Sequence, residues 1–343
     1  MEIMKRHSLR MGAGLVIAAI LATGCGPGNA ASDKAGGSGE PQVLTMATFF
    51  GDVDFTPQIR YLVDRVEELS EGDLQIEIEY AVGAFAASAE QEVVRGVADG
   101  TFDLGFVGTQ VFDSLGFDNF RALIAPMLID SYALQDSVLD SGLTDEMMDG
   151  IDEVGVTGLK VLGGTLRKPV AVKQPLLGPA DWRGITFGVN RSETQGDAIR
   201  ALAASPMEVI GDTRDEAMEK GSIDGFESSL LAYKLNGQER AAPYVTANVN
   251  LWPQTLVVMG NPDAVAGLSE TRRAWLQQAA DESAARSTEL KDADLDTVAG
   301  ICESGGRFAF ASSADLAALQ RDFEAAYVAL EKDTATKGFI EQI

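Results

Sequence analysis

Histidine is almost missing from this sequence: His7 is the only one among 343 residues. Ser–His–Asp and Cys–His catalysis, and every metal site built on imidazole, need that side chain. His7 lies in an N-terminal stretch expected to be removed, so the working protein is expected to have no imidazole. Cysteine is nearly as scarce, with only Cys25 and Cys302. An intrachain disulfide would need both. Cys25 has another use, described below, so Cys302 is read as a small buried filler. Basic residues are few: 27 against 52 acidic ones, for a formal net charge of −25. Such a surface repels nucleic acid and anionic lipid headgroups. Long apolar runs are absent too. The longest, residues 11–22, falls short of the roughly 20 residues that span a bilayer. No paired acid–base motif, phosphate loop or metal-ligand spacing occurs, so neither an enzyme, a cofactor nor a metal is expected.

What is present begins with an export signal. Lys5, Arg6 and Arg10 precede the short apolar run, and Leu21-Ala22-Thr23-Gly24-Cys25 reads as a lipobox. Residues 1–25 are therefore expected to be a lipoprotein signal peptide, with Cys25 carrying a diacylglycerol anchor. Residues 26–42 are rich in Gly, Ala and Ser and read as a flexible tether. The remainder, about 300 residues, suits two lobes of ordinary size.

Beyond the tether, strand-like and helix-like segments alternate, which predicts an α/β architecture. Leu74, Ile76, Ile78 and Tyr80 alternate with polar residues, as in a half-buried strand. Thr56-Pro57 reads as a helix start, and Ser88 with Gln91, Ser192 with Gln195 and Thr213 with Glu216 read as capping boxes. A long helix is expected from Ser269 towards Leu290. Gly163-Gly164, directly after a strand, is a hinge candidate. The expected division is 43–164 plus about 250–292 as lobe I, and 165–249 plus about 293–343 as lobe II.

The order of several blocks is more specific. Asp181-Trp182-Arg183-Gly184-Ile185-Thr186-Phe187 resembles the D-L-K-G segment of TRAP-transporter substrate-binding proteins of the DctP type. Ala203-Ala204-Ser205-Pro206 resembles that family's G-A-S/T-P, and residues 219–227 resemble its Q-T/S-G-hydrophobic-D-G-x-E-N. Residues 94–104 and Ala125-Pro126-Met127-Leu128 match two further blocks in the right order. The resemblance covers roughly residues 43–335. It implies a two-lobe, periplasmic-binding-protein-like fold with hinge strands and a long spanning helix. It also implies capture of a small solute, often an organic acid, for a membrane transporter driven by an ion gradient. The alternative is a binding lipoprotein serving a sensor or an ABC-type importer.

Two departures bear on the ligand. The family's carboxylate-binding arginine falls at Gly188, and its asparagine after D-G-x-E falls at Ser228. Glycine cannot supply a bidentate guanidinium. Ligands of open α/β sheets sit beyond the carboxyl ends of strands, which selects the candidate site residues. Phe49 and Phe50 would form an apolar wall; Gly108, Thr109 and Gln110 would offer backbone and amide groups; Arg167, with Lys168 beside it, would meet an anion. Arg191 would replace the missing charge, Gly188 would make room for a bulkier ligand, and Glu227, Ser228 and Trp252 would edge the cleft. Phe187 is expected in the core.

Overall fold

The computed structural model describes residues 41–286 and 289–343; Cys25, the signal peptide and nearly all of the expected tether lie outside them. Twelve strands occur among the described residues: β1 (Gln42–Ala47), β2 (Leu74–Glu79), β3 (Leu104–Gly108), β4 (Thr157–Leu162), β5 (Leu166–Ala171), β6 (Thr186–Val189), β7 (Ser205–Glu208), β8 (Gly225–Ser228), β9 (Tyr244–Thr246), β10 (Trp252–Pro253), β11 (Leu256–Gly260) and β12 (Arg307–Ala309). They form two sheets. The first has the order β2-β1-β3-β11-β4, and the second β12-β9-β5-β8-β6-β7 with β10 added on β5. Parallel pairs β1–β2 and β1–β3 in the first sheet, and β6–β7 and β6–β8 in the second, are joined by helices. This is the α/β architecture that the alternation of segments predicts, in the two-lobe form that the family resemblance implies.

Helices cover both faces of each sheet, so the inner strands read as continuous apolar runs rather than alternating ones. All five residues of β3 are buried, whereas β2, at the edge, keeps its alternation. Ile59, Leu62 and Val66 of the Pro57–Leu69 helix lie on one face and are fully buried, each contributing about 1.5–3 kcal/mol of burial. They pack with Leu276, Ala279 and Ala280 of the Glu270–Ala285 helix. Arg65 and Tyr61 both donate to the Glu282 carboxylate across this contact, at 2.6 and 3.0 Å. Beneath the other face of the first sheet lie Val93, Val97 and the mutually packed rings of Phe112, Phe117 and Phe120. In the second sheet Trp182, Phe187 and Ile199 fill one core, and Phe226, Ile223 and Tyr233 another.

Two of the chain's passages between the sheets lie side by side; the β11-to-β12 passage and the return of the C-terminal helix to the first sheet's core are separate from them. β4 leads through Gly163-Gly164-Thr165 into β5, and β10 leads through Gln254-Thr255 into β11. The two connections run antiparallel: Gln254 N–H donates to Thr165 O at 3.0 Å, and Leu251 N–H to Arg167 O at 2.8 Å. Gly164 has an ordinary φ. Glycine is required there because a Cβ would fall inside the Gln254 carbonyl group. Buried amides fasten the turn on either side, Gln58 Nε2 donating to Gly163 O at 2.9 Å and Gly164 N–H to Gln135 Oε1 at 3.1 Å.

Several local expectations are corrected. Ser88 makes no cap bond; its hydroxyl donates to Glu92, and Gln91 reaches Ser114 instead. Thr213 is not a cap either. The Gly211–Glu219 helix starts two residues earlier, where Gly211 has φ +46°, and the Thr213 hydroxyl bonds back to Ile210. The long helix ends at Ala285, and a second one, Glu289–Asp296, follows. Cys302 is exposed rather than buried, because the short Val298–Glu303 helix turns only Ile301 inward. Phe339, Ile340 and Ile343, at the end of the chain, pack on the apolar cluster around Phe112 and Phe120. No helix among the described residues is long and apolar enough to cross a membrane.

Candidate functional site

A cavity of about 360 Å³ opens where the two sheets face each other beside the crossing strands. Its walls come from the segments that leave the carboxyl ends of β1, β2, β6, β7 and β8, together with Arg167 on β5 and Gln254 on the second crossing. That is the position physics favours in open α/β sheets, where strand ends diverge and leave a crevice.

The wall on the first sheet's side is aromatic. Phe49 and Phe50 follow β1, and Phe55 ends the next 3-10 turn. The Phe49 and Phe50 rings lie 4.2 Å apart, and Phe50 stacks on Phe55 at 6.4 Å and on buried Phe106 at 5.9 Å. Phe85 adds a fourth ring from a loop of unusual backbone: Ala81, Gly83, Ala84 and Phe85 all have positive φ. For Ala and Phe this conformation is strained and persists only where packing holds it. Phe85 is wedged between Gly51 on one side and Gly211 on the other, and a Cβ on Gly211 would come within 2.8 Å of the Phe85 Cβ. The two sheets' loops meet there.

The opposite wall carries the charge. Arg167 is buried, with a side chain only 7% exposed. Its Nε donates to the Glu227 carboxylate and its Nη2 to the Glu227 carbonyl at 3.1 Å. Glu227, 3% exposed, faces Arg167 from β8, so both charges are matched inside the protein. Arg214, on the Gly211–Glu219 helix, is 11% exposed, and its ion pair with Asp215 is long, at 3.6 Å. Its guanidinium lies 5.0 Å from the Phe226 ring centroid. With the Gln238 amide turned so that its oxygen faces the arginine, Nε and Nη2 donate to it at 3.1 and 2.6 Å. Burial pulls the Arg214 pKa below its ordinary value, partly offset by Asp215. Asp52, Asp212 and Asp215 also line the cavity, with the amides of Asn190, Asn236 and Gln254.

Phe49, Phe50 and Arg167 are thus brought together at the cavity. Other residues expected there lie elsewhere. Gly108 and Gln110 are buried under the aromatic wall and hold Glu90: Gly108 N–H donates at 3.1 Å and Gln110 Nε2 at 2.9 Å. Thr109 bonds Thr255 on the second crossing instead, hydroxyl to hydroxyl at 2.8 Å. Glu90 has its pKa raised to about 7, chiefly by burial. Gly188 leaves no extra room. A Cβ there would come within 2.8 Å of Val209 Cγ2 and 3.1 Å of Phe226 Cβ, so the space is already core. Arg191 does not replace the missing charge; it is 47% exposed and pairs with Glu208 at 3.3 Å outside the cavity. Ser228 and Trp252 are buried, and neither lines the cavity. Lys168, the neighbour of Arg167 on β5, is buried away from the cavity and donates to Asn250 Oδ1 and Ala247 O. Arg214, Phe85, Asn190 and Gln254 were not singled out from sequence. The only local signals were a Gly-Asp pair at 211–212 and the glycine-alanine run before Phe85, neither of which names a ligand contact.

The arrangement can enclose a guest between two sheets joined by a pair of adjacent crossing strands, as in a two-lobe solute-binding protein. The sequence profile described as bacterial extracellular solute-binding protein, family 7 (DctP) matches residues 56–333. The chain belongs to that family, the substrate-binding proteins of TRAP transport systems, which work outside the cytoplasm and bind solutes rather than transform them. Solved structures agree on the fold. A TRAP periplasmic solute-binding protein from Desulfovibrio desulfuricans, with bound sn-glycerol-3-phosphate, superposes with a TM-score of 0.79 at 18% identity, covering 88% of this chain and 96% of that one. One from Bordetella bronchispeptica, with density assigned as pantoate, gives 0.76 at 20% identity over 87% and 98%. One from Roseobacter denitrificans, with bound β-D-glucuronate, gives 0.77 at 18% over 88% and 98%.

Proposed function

We propose that the protein captures a small organic acid in the Phe50–Arg214 cavity, closes over it about the Gly163–Thr165 and Gln254–Thr255 crossings, and delivers it to the membrane subunits of a TRAP-type transporter. One observation carries this reading. Arg214 borders a cavity walled on one side by four phenylalanines, and its best ion pair is the long 3.6 Å contact with Asp215. A guanidinium with donors to spare is suited to a carboxylate, which it can bind bidentately. The ligands of the three relatives described above are all anions, consistent with this choice. Closure would exclude water and strengthen the few polar contacts inside.

A lipid on Cys25 holds the protein at the membrane in this reading; its support is the lipobox alone. Radiolabelled fatty acid should mark the wild-type chain and not Cys25→Ala. For capture itself, the test is a thermal-shift screen of organic acids. Ligand at millimolar concentration should raise the melting temperature by several degrees, and a chain indifferent to every acid offered would refute the reading. Deleting the genes for the partner membrane subunits should then abolish uptake of the acid that binds.

A further inference from the structure

We propose that the cavity selects a monocarboxylate with an apolar body, aromatic or branched, anchored by Arg214, and that it discriminates against polyhydroxylated sugar acids and dicarboxylates. This rests on the capture reading above and goes further by naming the substrate class.

The charge count limits the guest to one anionic group. Arg167 is already matched by Glu227, with Nε on the carboxylate and Nη2 on the carbonyl, so a second anion there would compete with a buried partner. Arg214 has neutral Gln238 on Nε and Nη2, only a long 3.6 Å contact from Nε to Asp215, and no acceptor among the described residues for Nη1. One carboxylate is what that guanidinium can take. A second carboxylate on the guest would meet Asp52, Asp212 and Asp215, which share the lining, and like charges at short range disfavour it.

The body of the guest meets rings. Phe49, Phe50, Phe55 and Phe85 supply the wall facing Arg214. Rings cannot replace the water lost by a sugar's hydroxyls, and each hydroxyl left without a partner costs about 1–3 kcal/mol. Asn190, Asn236 and Gln254 offer three amides, enough to orient a keto group or a few hydroxyls, but they lie opposite a wall of rings. An apolar body loses nothing on leaving water and gains about 25 cal/mol per Å² buried. Aromatic contacts with Phe50 and Phe85 would add to this.

The test is titration calorimetry on the full chain in mild detergent with five probes: 3-phenylpropionate, 4-methyl-2-oxopentanoate, D-galacturonate, D-erythronate and succinate. The first two are expected to bind at least ten-fold more tightly than the other three. In Arg214→Gln their affinity should fall ten-fold or more, with the ligand-free melting temperature changed by only a few degrees. Arg214→Lys, which keeps the charge but not the fork, should retain part of the affinity and serves if Arg214→Gln does not fold. Tighter binding of galacturonate, erythronate or succinate overturns this inference and leaves the capture reading standing. Apolar acids that bind Arg214→Gln as well as wild type overturn the role of Arg214. If none of the five binds, this inference falls; the capture reading falls only if the wider acid screen is also blank.

Discussion

Arg167 and Glu227 show how one residue's role depends on its partner. Both are buried, and each is tolerable there only because the other cancels its charge. Removing one member of such a pair leaves an unmatched buried ion and costs about 3–5 kcal/mol. Glu227→Leu is therefore expected to lower the denaturant midpoint markedly, whereas the double variant Arg167→Met/Glu227→Leu should recover part of the loss in the same urea titration. Glu90 is the second residue of this kind. Its carboxyl is held by Gly108 N–H and Gln110, yet burial raises its pKa from 4.5 to about 7. The folded state therefore holds a proton more tightly than the unfolded chain. That contribution to stability is complete below pH 4.5 and is lost as pH rises through about 7. Compared with wild type, Glu90→Gln should show a flatter fall of melting temperature between pH 5 and pH 8. Equal slopes for the two proteins would show that Glu90 ionises normally.

At the scale of elements, the crossing strands matter most. The close approach of Gly164 to the Gln254 backbone lets two antiparallel connections run side by side with no side chain between them. Gly164→Ala must push them apart, breaking the Gln254–Thr165 bond, and is expected to cost several kcal/mol. Its melting temperature should drop by many degrees, and any ligand-induced shift should shrink with it. The Phe85 loop is the complementary case, with strained backbone at Ala84 and Phe85 and the ring wedged against Gly211. Helix starts were less legible than strands. Ser192 does cap its helix, accepting from Gln195 N–H at 3.2 Å, but Ser88 and Thr213 have the same spacing and do not cap. A Ser/Thr-x-x-Glu/Gln spacing states which bonds can form. The backbone dihedral of the first residue decides whether they do, and packing sets that dihedral.

For the molecule as a whole, charge is the dominant sequence property. With a net charge of −25, the folded surface repels itself, and compaction works against that repulsion. Raising salt from roughly 10 mM to 1 M shortens the screening length from about 30 to about 3 Å, so the melting temperature is expected to climb by several degrees. Many of the surface ion pairs, such as Lys220–Glu216 and Arg200–Asp197, are well exposed and contribute only about 0–1 kcal/mol each, so their screening should not reverse the trend. A melting temperature that falls with added salt would mean that these pairs outweigh the net repulsion.

Composition alone left a single histidine, His7, and the ordered blocks from Asp181 to Glu227 pointed to the family that the profile match over residues 56–333 then established. Strands and the α/β class followed from periodicity, which is a local property of the chain, and the two-lobe form from the family resemblance. The cavity was only partly readable. Phe49, Phe50 and Arg167 sit directly at strand ends or on a crossing strand, where sequence order and space coincide. Arg214 could not be distinguished from Arg191 along the chain. Folding turned one into the cavity over Phe226 and the other out to Glu208. Which side chains face the same cavity depends on how strands far apart in sequence lie side by side in a sheet, and no local spacing encodes that.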